Sequence, residues 1–309
     1  GESQPWLPDP DTEADREKIY RYRLNRYPLH KDDKALASWN SLMLLACARG
    51  ISAARRLPRE QAGILAACRE RTDRCLRFLR RRLVTPEGRL ITRYRDGQSA
   101  GDGHLDDYAF YTLALLELYA AEFDVKLLEE ACRTAQLMVK YFFDQKEGGF
   151  YLYASDSEQL ICRPKDTWDG AMPSGNSAAA MVLCRLSALT ALPEWTELRD
   201  RQIRFPTREA QAIPSGFSFS LLAMTEVLYP GRQLICLLPA EPEEALLHRL
   251  AAAREQNLQV LIKTPENAAV LERLAPFTAS YPIGDSGKYY LCENGSCMLP
   301  ADRLDEVLK

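Results

Sequence analysis

Long apolar runs are missing from this 309-residue chain. With no stretch of about 18 apolar residues, nothing in it is expected to span a bilayer. An excess of charge of one sign is missing too. The 40 Lys and Arg against 43 Asp and Glu leave a net charge of -3, so nothing global points to nucleic acid or an anionic membrane. Histidine occurs three times, as His30, His104 and His248. The opening residues Gly1-Glu-Ser-Gln-Pro-Trp-Leu-Pro-Asp-Pro10 carry no initiating Met and no apolar signal region, as expected of a fragment of a longer chain or of a tag remnant. What remains, 46% hydrophobic and 27% charged residues, is the composition of an ordinary soluble globular protein with room for two units.

Cysteine is not scarce: there are nine. Cys47, Cys68, Cys75, Cys132, Cys184 and Cys236 lie in apolar or amphipathic runs, where the residue acts as a small buried hydrophobe. That usage fits a reducing, cytoplasmic setting. Cys292-Glu-Asn-Gly-Ser-Cys297 is the one suggestive pair, but a zinc site usually needs four ligands and no second pair or His is near. Free thiols, no metal and no cofactor are therefore expected.

Residues up to about 231 read as helical, and residues 232–309 as a small α/β module. Residues 39–49 are apolar almost all round, the mark of a helix buried on several sides. Residues 59–83 instead place apolar side chains at three- and four-residue steps and leave the remaining surface to arginine. The contrast returns in residues 105–122 and 125–143, and again in 175–189 and 193–202. Buried helices alternating with amphipathic ones imply helical hairpins in an inner and an outer layer, with the inner-helix N-termini on one face of a toroid. A weak repeat supports this: Ala171-Met-Pro-Ser-Gly175 returns as Ala212-Ile-Pro-Ser-Gly216, each ahead of an apolar helix, the second over 217–229. Short extended pieces are expected at 90–94 and 149–153. After Gly231, strands over 233–238, 258–263 and 288–292 alternate with helices over 241–255 and 267–274, which implies a parallel or mixed sheet. The first strand–helix turn, Leu238-Pro-Ala-Glu-Pro242, lacks the glycines of a nucleotide loop. A packing or docking role is expected for this module.

The stretch Arg163-Pro-Lys-Asp-Thr-Trp-Asp-Gly-Ala-Met-Pro-Ser-Gly-Asn-Ser177 sets loop chemistry against a helix start, where Ser174 or Asn176 could cap. Acidic loops also precede the first two buried helices, Lys31-Asp-Asp-Lys34 and His104-Leu-Asp-Asp107. These segments together read as the lining of a binding mouth.

Asp32-Asp-Lys-Ala-Leu-Ala-Ser-Trp-Asn40, Leu105-Asp-Asp-Tyr-Ala-Phe110, Gly148-Gly-Phe150, the 163–177 stretch and Cys292-Glu-Asn294 occur in one order. In that combination they closely resemble the C-terminal part of the spermatogenesis-associated, thioredoxin-domain-containing family. The resemblance implies an upstream thioredoxin-like domain and a barrel similar to N-acylglucosamine 2-epimerases and six-hairpin glycosidases. The expected fold is mainly α: an incomplete (α/α)6 six-hairpin-type toroid, then the small α/β module. A sugar or glycan is the expected ligand, and the missing N-terminal half the expected protein partner.

Two chemistries fit that expectation. Glycoside hydrolysis needs two carboxyls, for which Asp33, Asp106, Asp107 and Asp169 are candidates at helix starts. Helix capping explains an aspartate there equally well. Sugar epimerisation abstracts a proton beside a carbonyl and usually employs histidine, of which His104 is the one beside the acidic pair. The epimerases rely on more than one histidine, a departure that weighs against this chemistry. Trp39 and Trp168 could stack on a pyranose or serve the core. Arg163 and Lys165 could bind an anionic group or pair with local aspartates. Asn40, Tyr108, Asp169, Ser174 and Asn176 complete the expected substrate surface. In the alternative, the barrel is a non-catalytic recognition platform for the upstream domain. The arginine-rich segment 49–95 has no interleaved aromatics for stacking on bases, so an acidic protein surface is a better match than nucleic acid.

Overall fold

The computed structural model describes residues 13–27, 30–57, 62–158, 161–253, 258–293 and 295–308. The reading of residues 1–10, and the expectations placed on Arg59, Glu255 and Asn294, lie outside them. The chain divides into two compact units, Gly1–Lys34 and Ala35–Lys309. In the first, α1 (Glu13–Leu24) is held by short-range ion pairs such as Arg21 with Glu17 at 2.8 Å, and its Ile19, Tyr20 and Tyr22 are exposed.

The second unit begins with β1 (Ala35–Leu36), then α2 (Ala37–Ala54) and α3 (Ala62–Arg82). A three-stranded antiparallel sheet forms as β1 pairs with β2 (Ile91–Arg95) and β2 with β3 (Gln98–Asp102). Asp96 and Gly97, both at positive φ, make the two-residue hairpin between β2 and β3, the geometry whose twist matches the strands. Next come α4 (Leu105–Glu122), α5 (Val125–Phe142), α6 (Gly175–Thr190), α7 (Pro193–Arg204), α8 (Thr207–Ala212) and α9 (Ser218–Leu228).

Packing sorts these helices into two layers. Inner helices α2, α4, α6 and α9 follow one another side by side, while α3 packs on α2, α5 on α4 and α7 on α6. Burial explains the order. Helix α4 buries Tyr108, Phe110, Tyr111, Leu115 and Tyr119 on several sides because helices flank it left, right and behind. Helix α5 keeps one polar side and buries Leu128, Ala131, Ala135 and Met138. Phe123 and Ala191, both in the left-handed region, end α4 and α6, and Asp124 caps α5 through the N–H of Lys126. The result is an incomplete (α/α)6-type toroid of helical hairpins, as the alternation of helix character predicts. Among the described residues no helix is long and apolar enough to cross a membrane.

The change of character near 231 is a change of secondary structure inside the second unit. β4 (Arg232–Leu237), α10 (Glu244–Ala253), β5 (Leu258–Lys263), α11 (Ala268–Leu274), β6 (Lys288–Glu293), β7 (Ser296–Cys297) and α12 (Leu304–Val307) follow in order. The sheet is mixed, in order β5-β4-β6-β7, with β4 parallel to β5 and antiparallel to β6. Leu261, Leu271 and Ala275 join the main helical core, and the Tyr119 hydroxyl donates to the Val260 carbonyl at 3.1 Å, so the module is seated on α4. Buried Lys263 is satisfied by the carbonyls of Thr278 and Tyr281 and by Glu272 at 2.7 Å.

Two expectations are corrected. Cys292 and Cys297, expected as free thiols, form a disulfide, because the β6–β7 hairpin sets them directly opposite each other. Residues 149–153 make a single bridge between Phe143 and Phe150 rather than a strand. The positive φ at Gly148 and Gly149 turns the chain so that no longer ladder forms.

Candidate functional site at the inner-helix N-termini

The four inner helices start side by side, and aspartates bind them to one another. Helix α2 has Leu36 at its N-cap, a side chain that cannot accept a hydrogen bond. The missing acceptor comes from the next helix: Asp107 Oδ1 accepts from the Ser38 N–H at 2.9 Å, and its Oδ2 from the His104 N–H at 2.9 Å. Helix α9 likewise has Phe217 at its N-cap. Asp169 supplies it, accepting from the Phe219 and Ser220 N–H groups at 2.7 and 3.3 Å through Oδ2, and from the Ser174 N–H at 2.8 Å through Oδ1. Ser174 itself caps α6 by accepting from Ser177 N–H, and a hydroxyl chain runs through Ser177 to Ser220. Asp106 fills the remaining seam, between α4 and α6. A Cβ on Gly175 would lie 2.3 Å from its Oδ1, so only glycine lets α6 start there.

The aspartates therefore differ in office. Asp107 and Asp169 are buried and committed to backbone donors. Asp106 is half-buried and accepts a backbone hydrogen bond from Gly175; burial, with Asp107 and Asp166 as like-charged neighbours, still pushes its carboxyl up to about 6. Burial also raises Asp107 to about 6, against its two backbone N–H donors. His104 lies beside Asp106, its ring edge-on to Tyr153 with centroids 5.2 Å apart. It lines a cleft of about 290 Å³ together with Thr92, Asp102, Tyr153 and Glu158.

Two tryptophans stand exposed at this end. Trp39 follows Ser38 in the first turn of α2 and is 60% exposed. Trp168 precedes Asp169 and is 51% exposed, with one edge held against Gly216 and Phe217. Other expected site residues have structural partners. The Tyr108 hydroxyl, fully buried, accepts from Arg89 Nε and the Leu90 N–H. The Arg163 guanidinium donates to the Tyr153 carbonyl and lies over the Tyr151 ring. Lys165 pairs with Asp144 at 2.7 Å, and this holds the Asp144 carboxyl far below the usual carboxylate range. Asn176 clamps both backbone groups of Phe150 and the Asp166 carbonyl, and Asn40 donates to the Leu36 carbonyl. Asp33 is exposed in the first unit. Among the described residues no group of three His, Cys, Asp or Glu side chains is placed to hold a metal ion.

Sequence reasoning placed Asp166 in the lining but did not single it out as a site residue. Its signal, a carboxylate beside Trp168 in a loop leading to an inner helix, was present in the sequence. Ser38 as a recipient of the Asp107 bond carried no signal, because the bond spans 69 residues.

No family model matches the chain. It is 28% identical over 297 residues to spermatogenesis-associated protein 20 of Rattus norvegicus and 29% over 304 residues to that of Mus musculus; each match covers 92% of this chain. The chain spans 36% of the length of these relatives. Among solved structures, the cellobiose 2-epimerase from Spirochaeta thermophila superposes with a TM-score of 0.48 at 17% identity, covering 72% of this chain and 59% of that one. A family 76 glycoside hydrolase (mannosidase) from Bacteroides thetaiotaomicron gives a TM-score of 0.41 at 12% identity, covering 56% and 44%. The resemblance carried by the motifs thus holds along most of the sequence: this chain is similar to the C-terminal part of the spermatogenesis-associated proteins.

Proposed function

We propose that the mouth at the inner-helix N-termini binds a carbohydrate and acts on it by acid–base chemistry, with Asp106 as the proton donor. The observation that carries this reading is the division among the aspartates. Asp107 and Asp169 are buried and each accepts two or more backbone N–H groups, while Asp106, with one backbone hydrogen bond from Gly175, stays partly accessible and, like Asp107, has its carboxyl pushed up to about 6. A carboxyl in that range is protonated in mildly acid solution and keeps a minor protonated fraction at neutral pH, from which it can pass a proton to a departing glycosidic oxygen. Hydrolysis needs a second carboxyl group. Asp166, exposed and a like-charged neighbour of Asp106, is the carboxylate placed to take part in this reading. Trp39 and Trp168 offer aromatic surface to the apolar face of a pyranose. Arg163, Lys165 and Asn176 shape the loop that presents Trp168 and Asp166, and act on the sugar through it. No role falls to Asp33.

His104 favours a second reading, epimerisation, since it lines the cleft with Tyr153 and interacts electrostatically with Asp106. A thermal-shift screen of mono- and oligosaccharides against the chain and its Asp106→Asn and Trp168→Ala variants tests both. A sugar at about 100 times its Kd stabilises the fold by about 2.7 kcal/mol. We expect a hit that Trp168→Ala weakens, followed by turnover that Asp106→Asn abolishes. Loss of activity in Asp166→Asn with His104→Gln still active selects hydrolysis, and the converse selects epimerisation. No hit with folded protein refutes the carbohydrate reading and favours a recognition surface for an upstream thioredoxin-like domain.

A further inference from the structure

We propose that Cys292 and Cys297 form a thiol–disulfide exchange site whose partner is a dithiol protein. The pair joins β6 to the edge strand β7 at the open side of the mixed sheet. Its two sulfurs differ in access: Cys292 is buried against Ile235 and Leu237, whereas Cys297 is exposed. Both line a cavity of about 430 Å³ between the sheet and the helical layer, with Arg185, Arg199 and Arg232 on its wall. The Tyr281 hydroxyl lies 3.1 Å from Cys297 Sγ. A disulfide sulfur has no proton to give, so the hydroxyl is the donor. The bond spans five positions and joins strands that the hairpin already pairs, so the loop it constrains is short and its effect on the unfolded chain is at the small end.

The other cysteines among the described residues are free, and most are shielded. Burial raises Cys47, Cys75 and Cys236, and pushes Cys132 and Cys184 up to about 12, which leaves them poor nucleophiles. Of the disulfide's two sulfurs, an incoming thiolate can reach Cys297.

The exchange balances as follows. A thiolate of the partner attacks Cys297 Sγ, the Cys292–Cys297 bond breaks, and Cys292 leaves as a thiolate that takes up a proton. The partner is now joined to Cys297 by a mixed disulfide. Its second thiolate attacks its own bridged sulfur and expels the Cys297 thiolate, which accepts the hydrogen bond from Tyr281 and then a proton. Two electrons pass from the partner dithiol, which ends as a disulfide, to this chain, which ends with two thiols.

The test counts thiols and traps the intermediate. Native chain is treated with dithiothreitol, acid-quenched, labelled with a maleimide-polyethylene glycol and resolved on a gel. A separate, untreated sample that keeps the Cys292–Cys297 bond is incubated with a reduced thioredoxin whose resolving cysteine is serine. We expect two thiols gained per chain without unfolding by circular dichroism, and a covalent adduct that Cys297→Ser removes and Cys162→Ser retains. Melting of Cys297→Ser is followed in parallel, so that loss of the adduct is read only on folded protein. The proposal is overturned if the pair is reduced only in denaturant, if both thiols are free in protein isolated without reductant, or if the adduct survives Cys297→Ser.

Discussion

Replacing Asp169 by alanine tests the idea that aspartates bind the inner helices together. Its carboxylate accepts three backbone N–H groups, from Ser174 at the start of α6 and from Phe219 and Ser220 at the start of α9. Phe217, at the N-cap of α9, makes no capping hydrogen bond of its own. Removing an N-cap acceptor costs about 0.5–2 kcal/mol, and a buried donor left unpaired about 1–3 kcal/mol. Two helix starts are affected and the Ser220 contact is long, so Asp169→Ala is expected to cost about 3–5 kcal/mol, at the upper end of single substitutions. For a unit of this size each kcal/mol lowers Tm by about 2–4 °C, so the melting temperature should fall by about 6–20 °C. Asp169→Asn keeps one acceptor oxygen and should lose about half as much. Differential scanning calorimetry at neutral pH measures both. A fall under about 2 °C for Asp169→Ala would mean that the helix starts do not depend on this carboxylate.

Asp107 gives a pH signature. Its carboxyl rises from 3.8 unfolded to about 6 folded, so its contribution is fully present below pH 3.8 and is lost as pH rises through 6. A change of that size is about 3 kcal/mol. Urea unfolding from pH 3.5 to 7 should show the wild type losing stability relative to Asp107→Asn, and parallel curves would refute the assignment. Glu122 bridges Arg69 at 2.8 Å and the fully buried Arg55 at 2.6 Å. Glu122→Ala strands most of that buried charge and should cost about 3–5 kcal/mol, unless Glu244, 3.7 Å from Arg55, takes over. A loss below about 1 kcal/mol by urea denaturation would show that it does. Gly175→Ala puts a methyl 2.3 Å from Asp106 Oδ1 and 2.8 Å from Leu105. It should cost about 1–3 kcal/mol and abolish any sugar response, and a fully stable variant would show that α6 can shift.

The alternation of helix character was legible because periodicity records how many sides of a helix are covered. α4 runs from 105 to 122 and α5 from 125 to 142, within a residue of the pattern's bounds. The strands at 232–237 and 258–263 were equally clear as apolar runs. The disulfide was not, since a Cys-x4-Cys spacing does not specify a hairpin and the reading of the other cysteines favoured thiols. At the mouth, sequence pointed to the right loops but could not assign offices within them. Arg163 and Lys165 look like ligand-binding cations until Tyr153 and Asp144 are seen beside them. Asp107 and Asp169 look like caps of their own helices, and their bonds across to α2 and α9 depend on neighbours that local sequence does not reveal.

The doubled aspartate at the start of α4 follows from that arrangement. Successive residues of a helix point about 100° apart, so Asp106 and Asp107 cannot serve the same neighbour. Asp107 turns to α2 and Asp106 to α6, and a helix with a partner on each side needs both. Their duties then separate. Burial makes ionisation costly for both, but Asp107 is closed in by the Ser38 and His104 N–H groups, whereas Asp106 holds the Gly175 N–H alone, stays partly accessible and stands beside two other carboxylates. Asp106→Asn removes that charge and should melt at the same temperature or higher, while losing whatever chemistry the mouth performs. If Asp106→Asn is instead destabilised as strongly as Asp169→Ala, Asp106 is one more structural bond between helices, and the acid must be sought elsewhere.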